Sequence, residues 1–180
     1  MSWKNFVKNH LTFLDGAGAP SSKGERLHDS EIRKRSKLFS YQRHKNTTIV
    51  FGKIDYFIVD YFDVTVKQIE EACMIHKHPF TIPDWLFIVD RQVHGVQINT
   101  VYACYLDGPA HLTLHNSRRD DEINALLKAR GVKVLRFPNY KMGRNFKRIP
   151  LCAGDIKANV DVIEEFVIGD LKKLEVCCSS

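Results

Sequence analysis

The chain has no apolar run approaching the ~20 residues that a membrane-spanning helix needs. The stretch from Met1 to Leu14 has neither an apolar core nor a small-residue cleavage site, so no secretory signal is expected. The cysteines number five, at 73, 104, 152, 177 and 178. They are odd in number and form no C-x-x-C pair, which argues against a disulfide framework and a zinc ribbon. There is no internal repeat and no low-complexity tract. The expected setting is a reducing cytoplasm, nucleoid-associated in a prokaryote or phage, with no membrane partner.

The 180 residues contain 44% hydrophobic residues, enough for one ordinary core. Lys and Arg number 27 against 21 Asp and Glu, a formal net charge of +6. That excess is clustered. Lys23 to Lys53 holds nine cations and three acids. Lys141, Arg144, Lys147 and Arg148 form a second basic group, whereas Asp155 to Glu175 holds six acids and three lysines. A polyanion would meet the two basic segments rather than the tail.

Asp15 to Ser22 is a linker by composition, preceded by a helical spacing over Trp3 to Leu14. Ser22 and Glu25 have capping-box spacing and predict a helix over about 23–38. Residues 47–51 and 56–62 read as two strands or one irregular hairpin around Gly52 to Asp55. A short helix over 66–75 follows, then a strand over 85–89, a turn over 90–95 and a strand over 97–106. A helix over 119–130 ends at Gly131 and joins the strand over 132–137 as a crossover would. Residues 160–174 read as a last helix. The expected class is α/β, in three parts: an N-terminal segment and linker over 1–22, a domain over 23–150 with an insertion at about 46–80, and a C-terminal helical extension over 151–180.

Polar residues stand at the ends of the apolar strands. Asp84 precedes Trp-Leu-Phe-Ile-Val, Asp107 closes the buried strand, and His111 lies four residues on. Arg118, Arg119, Asp120 and Asp121 open the next helix on this reading. Two carboxylates and an imidazole converging there could hold Mg²⁺, which prefers oxygen ligands and a substrate phosphate. Each residue also has an ordinary reading: Asp84 and Asp107 as turn formers, His111 as a packed or surface histidine, Asp120 as a helix-start acid and Glu25 as half of a capping box.

The order I-P-D-W-L-F, then Y-L-D-G-P-A-H, then R-R-D-D-E-I-N-A-L-L-K-A-R-G-V-K-V-L-R-F resembles the Vsr-like branch of the PD-(D/E)xK nucleases. That branch includes very-short-patch repair enzymes and related homing endonucleases. The likeness covers about 82–140 and, on the basic helix, 22–38. It implies a restriction-endonuclease-like mixed β-sheet flanked by helices. It implies a DNA endonuclease or nickase using Mg²⁺ or Mn²⁺, with DNA as partner and a homodimer as one assembly. Asp84 resembles the metal-binding aspartate and Asp107 the metal-site residue of the second strand. His111 resembles the histidine that activates water or protonates the leaving group. Arg119 and Asp120 resemble the Arg-Asp pair. Glu25 is matched to an upstream glutamate, with Glu31 competing. Tyr105 stands where many relatives carry a carboxylate, and the (D/E)xK lysine and the structural-zinc residues are not matched. Arg33, Lys34, Arg35, Lys37, Arg43, Arg118, Arg119, Arg144, Lys147 and Arg148 are the expected phosphate contacts. The rival expectations are a catalytically degenerate nucleic-acid-binding module and a protein-interaction domain docking through the acidic tail.

Overall fold

Ser22 accepts a hydrogen bond from the Glu25 amide (3.2 Å) and starts the first helix. The computed structural model describes residues 22–43, 47–60, 66–93 and 95–170, so the expectations for Trp3 to Leu14 and for Leu171 onward lie outside it. In chain order the elements are α1 (Lys23–Lys34), α2 (Ser36–Ser40), β1 (Thr47–Phe51), β2 (Tyr56–Asp60), α3 (Val66–Ile75), β3 (Phe80–Thr81), β4 (Trp85–Val93) and β5 (Val96–Asp107). A 3-10 turn over Pro109–Leu112 leads to α4 (Leu114–Ala129), β6 (Lys133–Pro138), β7 (Tyr140–Met142), β8 (Arg148–Pro150) and α5 (Ala153–Glu164), which runs into a π-turn over Glu165–Gly169.

The central sheet has the order β4-β5-β6. β4 and β5 are antiparallel, from Trp85 opposite Cys104 to Val93 opposite Val96. β5 and β6 are parallel, with Tyr105 beside Arg136. A parallel pair needs a crossover, and α4 supplies it as the sequence predicts. Residues 41–43 run along the free edge of β4, where the Arg43 amide donates to the Leu86 carbonyl (2.8 Å) and the Ile88 amide to that of Tyr41 (2.9 Å). This backbone pairing covers part of an otherwise open strand edge.

Strand alternation then sorts the core into two layers. Trp85, Phe87, Tyr102 and Cys104 face α1 and α5, meeting Ile32, Val160, Ile163 and Val167. Leu86, Val101, Ala103 and Tyr105 face the other way, meeting Ile123 and Leu127 of α4 with Ile49 and Phe51 of β1. The smaller sheet, in the order β2-β1-β3, therefore lies over the central one through β1. It comprises the strands of the segment expected as an insertion. The chain is a mixed α/β protein of small sheets flanked by helices.

Several boundaries differ from the sequence reading. The helix expected over 23–38 breaks at Arg35 (φ −95°, ψ 79°), and α2 restarts it. The break frees Arg35 to reach Asp161 and Glu164 of α5, at 2.5 and 2.6 Å. The turn expected over 90–95 is only its last part, because Asp90 to Val93 continue the ladder with β5, and Gly95 takes the left-handed backbone (φ 81°) the tight reversal requires. The helix expected from 119 starts at Leu114, capped by Thr113, whose side chain accepts from the Asn116 amide at 3.4 Å. Asp120 therefore sits in the second turn of α4 and not at its N-terminus. The last helix starts at Ala153 instead of 160, because Asp155 accepts from the Cys152 amide (2.7 Å) as half of a capping box. α5, in the segment expected as a C-terminal helical extension, buries Ile156, Val160 and Ile163 as one wall of the core.

Candidate active site

Antiparallel register explains why residues 23 positions apart meet. Trp85 pairs with Cys104, so the start of β4 and the end of β5 share one end of the sheet. Asp84, just before β4, accepts a hydrogen bond from the Leu106 amide through Oδ2 (2.7 Å). Asp107 is the last residue of β5, beside Pro138 of β6.

Asp84 is the most perturbed carboxyl of the group, raised from 3.8 to about 6. Burial is the main cause, and the negative charges of Glu25 and Asp107 add to it. The Leu106 amide and His111 pull the other way. Glu25 of α1, Asp107 and His111 thus all act on Asp84, although they span 86 positions of sequence. The packing of α1 makes this possible. Asp29 accepts from the Trp85 indole (2.7 Å), and His28 is buried between the Gly24 carbonyl (2.8 Å) and Asn159 (3.1 Å). Burial lowers the pKa of His28, in keeping with a neutral structural imidazole.

His111 is delivered by the 3-10 turn after Gly108. Its Nδ1 lies 2.6 Å from Asp120 Oδ2 and 3.6 Å from Asp107 Oδ1. A carboxylate only accepts, so the Nδ1 that faces Asp120 carries a proton. Ligand atoms of Asp107, His111 and Asp120 all lie within 4.8 Å of one another, a spacing compatible with a cation. A cleft of ≈ 270 Å³ opens here, lined in part by Asp107, His111, Asp120, Asn124, Arg136 and Tyr140.

Arg136 is the site residue that sequence reasoning missed. Its Nη1 donates to Asp107 Oδ1 (2.7 Å), its Nη2 lies 3.5 Å from Asp120 Oδ1, and its Nε donates to Asn124 (3.1 Å). The guanidinium stacks 4.1 Å over the Tyr105 ring, a cation–π contact. Tyr105 is buried, shares a hydrogen bond with the Thr81 hydroxyl (3.0 Å), and has its pKa raised chiefly by burial. It therefore serves as a platform for Arg136.

The donor set divides accordingly. Asp107 has one oxygen held by Arg136, and Asp84 has one held by the Leu106 amide. Each thus keeps one carboxylate oxygen outside these bonds, while the ligand atoms that lie together are those of Asp107, His111 and Asp120, without Asp84. The crowding of Glu25, Asp84 and Asp107 is itself an excess of negative charge that a cation would relieve.

Of the expected phosphate contacts, Arg33, Lys34, Lys37, Arg43, Arg118, Arg119, Arg144, Lys147 and Arg148 are exposed. Lys34 pairs with Glu31 (2.7 Å), which engages the glutamate that competes with Glu25 for the upstream role. Arg35 is half-buried and held by α5, so its charge is balanced within the fold. Among the described residues no helix is long and apolar enough to cross a membrane. No family model matches the chain, and comparisons with curated proteins and with solved structures find no match.

Proposed function

We propose that this protein is a metal-dependent DNA endonuclease or nickase with a restriction-endonuclease-like, Vsr-like fold. The observation that carries the reading is the gathering of Asp84, Asp107 and His111 at one sheet end, where burial raises the Asp84 carboxyl to about 6 and the charge of Glu25 adds to it. Asp84 and Asp107 would hold Mg²⁺ or Mn²⁺. Such an ion neutralises phosphate charge and lowers the pKa of a bound water. His111, oriented by Asp120 through Nδ1, would take a proton from the attacking water at Nε2. Arg136 fixes Asp107 and Asp120 in place, so the carboxylates need little reorganisation when substrate arrives.

Supercoiled plasmid incubated with the protein in Mg²⁺, in Mn²⁺ and in EDTA tests this. Nicked or linear product is expected with either ion and none in EDTA. Asp84→Asn is expected to stay folded and leave the plasmid intact; wild-type cleavage by that variant overturns the reading.

One observation favours a second reading, a degenerate nucleic-acid-binding module. Arg136 already balances charge on Asp107 and Asp120, and Tyr105 occupies the position of a carboxylate in many relatives. That reading predicts salt-sensitive DNA binding with no cleavage under any metal condition.

A further inference from the structure

The smaller sheet leaves one flank open. Among the described residues β2 pairs with β1 alone. The Gly52 amide donates to the Asp55 carbonyl (3.0 Å), and the Phe51 amide turns the other way, to the Pro79 carbonyl (2.9 Å). By alternation along the ladder, the backbone groups of Tyr56 and Ile58 face outward from the sheet. Tyr56 to Val59 carry neither charge nor proline, the usual devices that blunt such an edge.

The flank continues as an apolar face. Phe57 lies opposite Val50, and Val50 packs with Ile69 and Ala72, so Phe57 shares a sheet face with α3. Met74 and Ile75 end α3, and His76 Nε2 donates to the Gly52 carbonyl (2.7 Å), which ties that end to the turn between β1 and β2. Ile54 in this turn is 85% exposed and Met74 72%, while Phe57 and Ile75 are half-exposed. Together they present on the order of 500 Å² of surface, the size of patch that marks an interaction site. The turn is also clamped. Arg130 Nε donates to the Asp55 carbonyl (2.6 Å), and its Nη2 to those of Gly52 (2.7 Å) and Lys53 (3.3 Å), with the guanidinium over the Phe51 ring. A backbone held this way has little freedom left to lose on association.

We propose that this face joins two copies of the chain, through antiparallel pairing of β2 with β2 of a second copy about a two-fold axis at Ile58. That register sets Phe57 of each copy beside Val59 of the other and merges the two small sheets into one. The two apolar patches and the strand edges between them reach the roughly 1,200–2,000 Å² that a specific pair buries. The rim carries both signs, with Lys53 and Asp55 in the turn and Lys67 3.8 Å from Glu71, so the face meets its own image without a block of like charge. It lies outside the stretch that resembles the nucleases, and the proposal does not rest on that reading.

Light scattering after size exclusion, over about 1–100 µM full-length protein, reports the assembly. A particle of twice 20.8 kDa is expected, with the Ile58 amide slow to exchange with deuterium. Ile54→Lys with Met74→Lys alters two exposed positions and is expected to keep the circular dichroism and melting temperature of the fold. The same variant is expected to weaken association at least about tenfold and to release the Ile58 amide. Ile54→Leu with Met74→Leu is expected to keep the pair. A dimer of full strength in the lysine variant overturns the proposal. So does a monomer at every concentration, and a protected Ile58 amide in that monomer assigns the edge to another segment of the same chain. Growth past two copies with rising concentration overturns the two-fold arrangement.

Discussion

Arg136 Nη1 lies 2.7 Å from Asp107 Oδ1, and the same guanidinium reaches Asp120 at 3.5 Å. One cation on β6 thus ties the end of β5 to the second turn of α4. Its partners are carboxylates whose side chains are 21% and 16% exposed, so removing the arginine leaves two poorly solvated negative charges facing each other. Arg136→Gln is expected to cost about 2–4 kcal/mol in urea unfolding at neutral pH. Arg136→Lys restores charge but not the fork that meets Asp107, Asp120 and Asn124 together, so it is expected to recover only part of that loss.

Asp84 gives the opposite sign. Its carboxyl titrates near 6 in the fold and near 3.8 when unfolded. Between those values the folded state binds more protons, so stability falls as pH rises from about 4 to 6 and stays lowered above that. A difference of roughly two units corresponds to about 3 kcal/mol. Asp84→Asn keeps an acceptor for the Leu106 amide and removes the charge. The variant is expected to be up to about 3 kcal/mol more stable than wild type at pH 8, with the difference gone near pH 4. Urea melts across pH 4–8 provide the check; equal wild-type and variant stability at pH 8 would contradict the raised carboxyl.

The same strain predicts a response to cations. Mg²⁺ or Mn²⁺ binding to Asp84 and Asp107 needs the ionised carboxyl, so each ion is expected to raise the melting temperature more at pH 8 than at pH 5. Occupancy at a hundredfold excess over Kd contributes about 2.7 kcal/mol, or roughly 5–10 °C for a chain of this size. Ca²⁺ serves as a hard-cation comparison without assuming catalysis. The shift is expected to vanish in Asp84→Asn, and a shift of full size in that variant places the cation elsewhere.

Asp84 and Asp107 were legible in the sequence because each ends an apolar run, and antiparallel pairing necessarily gathers such ends when the turn between them is tight. Arg136 was not. A single arginine between Leu135 and Phe137 reads as one solvent-facing position of an alternating strand. Its role comes from the parallel register that sets it beside Tyr105, a pairing fixed only after α4 has crossed over. The starts of α4 and α5 were hidden for a local reason. The first turn of α4 carries the exposed Leu114, and α5 is capped by Cys152, an unusual cap, so neither begins with an apolar stripe to mark it. The break at Arg35 likewise depends on Asp161 and Glu164, more than a hundred positions away.

That break separates two kinds of basic residue that look alike in sequence. Arg35 is bound by Asp161 and Glu164 of α5, and its pKa is raised, first through the Asp161 hydrogen bond. Its replacement by alanine is expected to loosen the α1–α5 contact, lowering stability by about 1 kcal/mol or less once solvent screening is allowed for. It should leave the salt dependence of DNA binding unchanged. Arg144, Lys147 and Arg148 are exposed on the β7–β8 hairpin. Alanine at each is expected to leave folding intact and to reduce the slope of log K against log salt by about 0.9, the amount one lost phosphate contact removes on duplex DNA. Fluorescence anisotropy with a labelled duplex over a salt series measures both. A slope that falls with Arg35→Ala and holds with the hairpin variants would move the DNA surface from the hairpin to the α1–α5 side of the sheet.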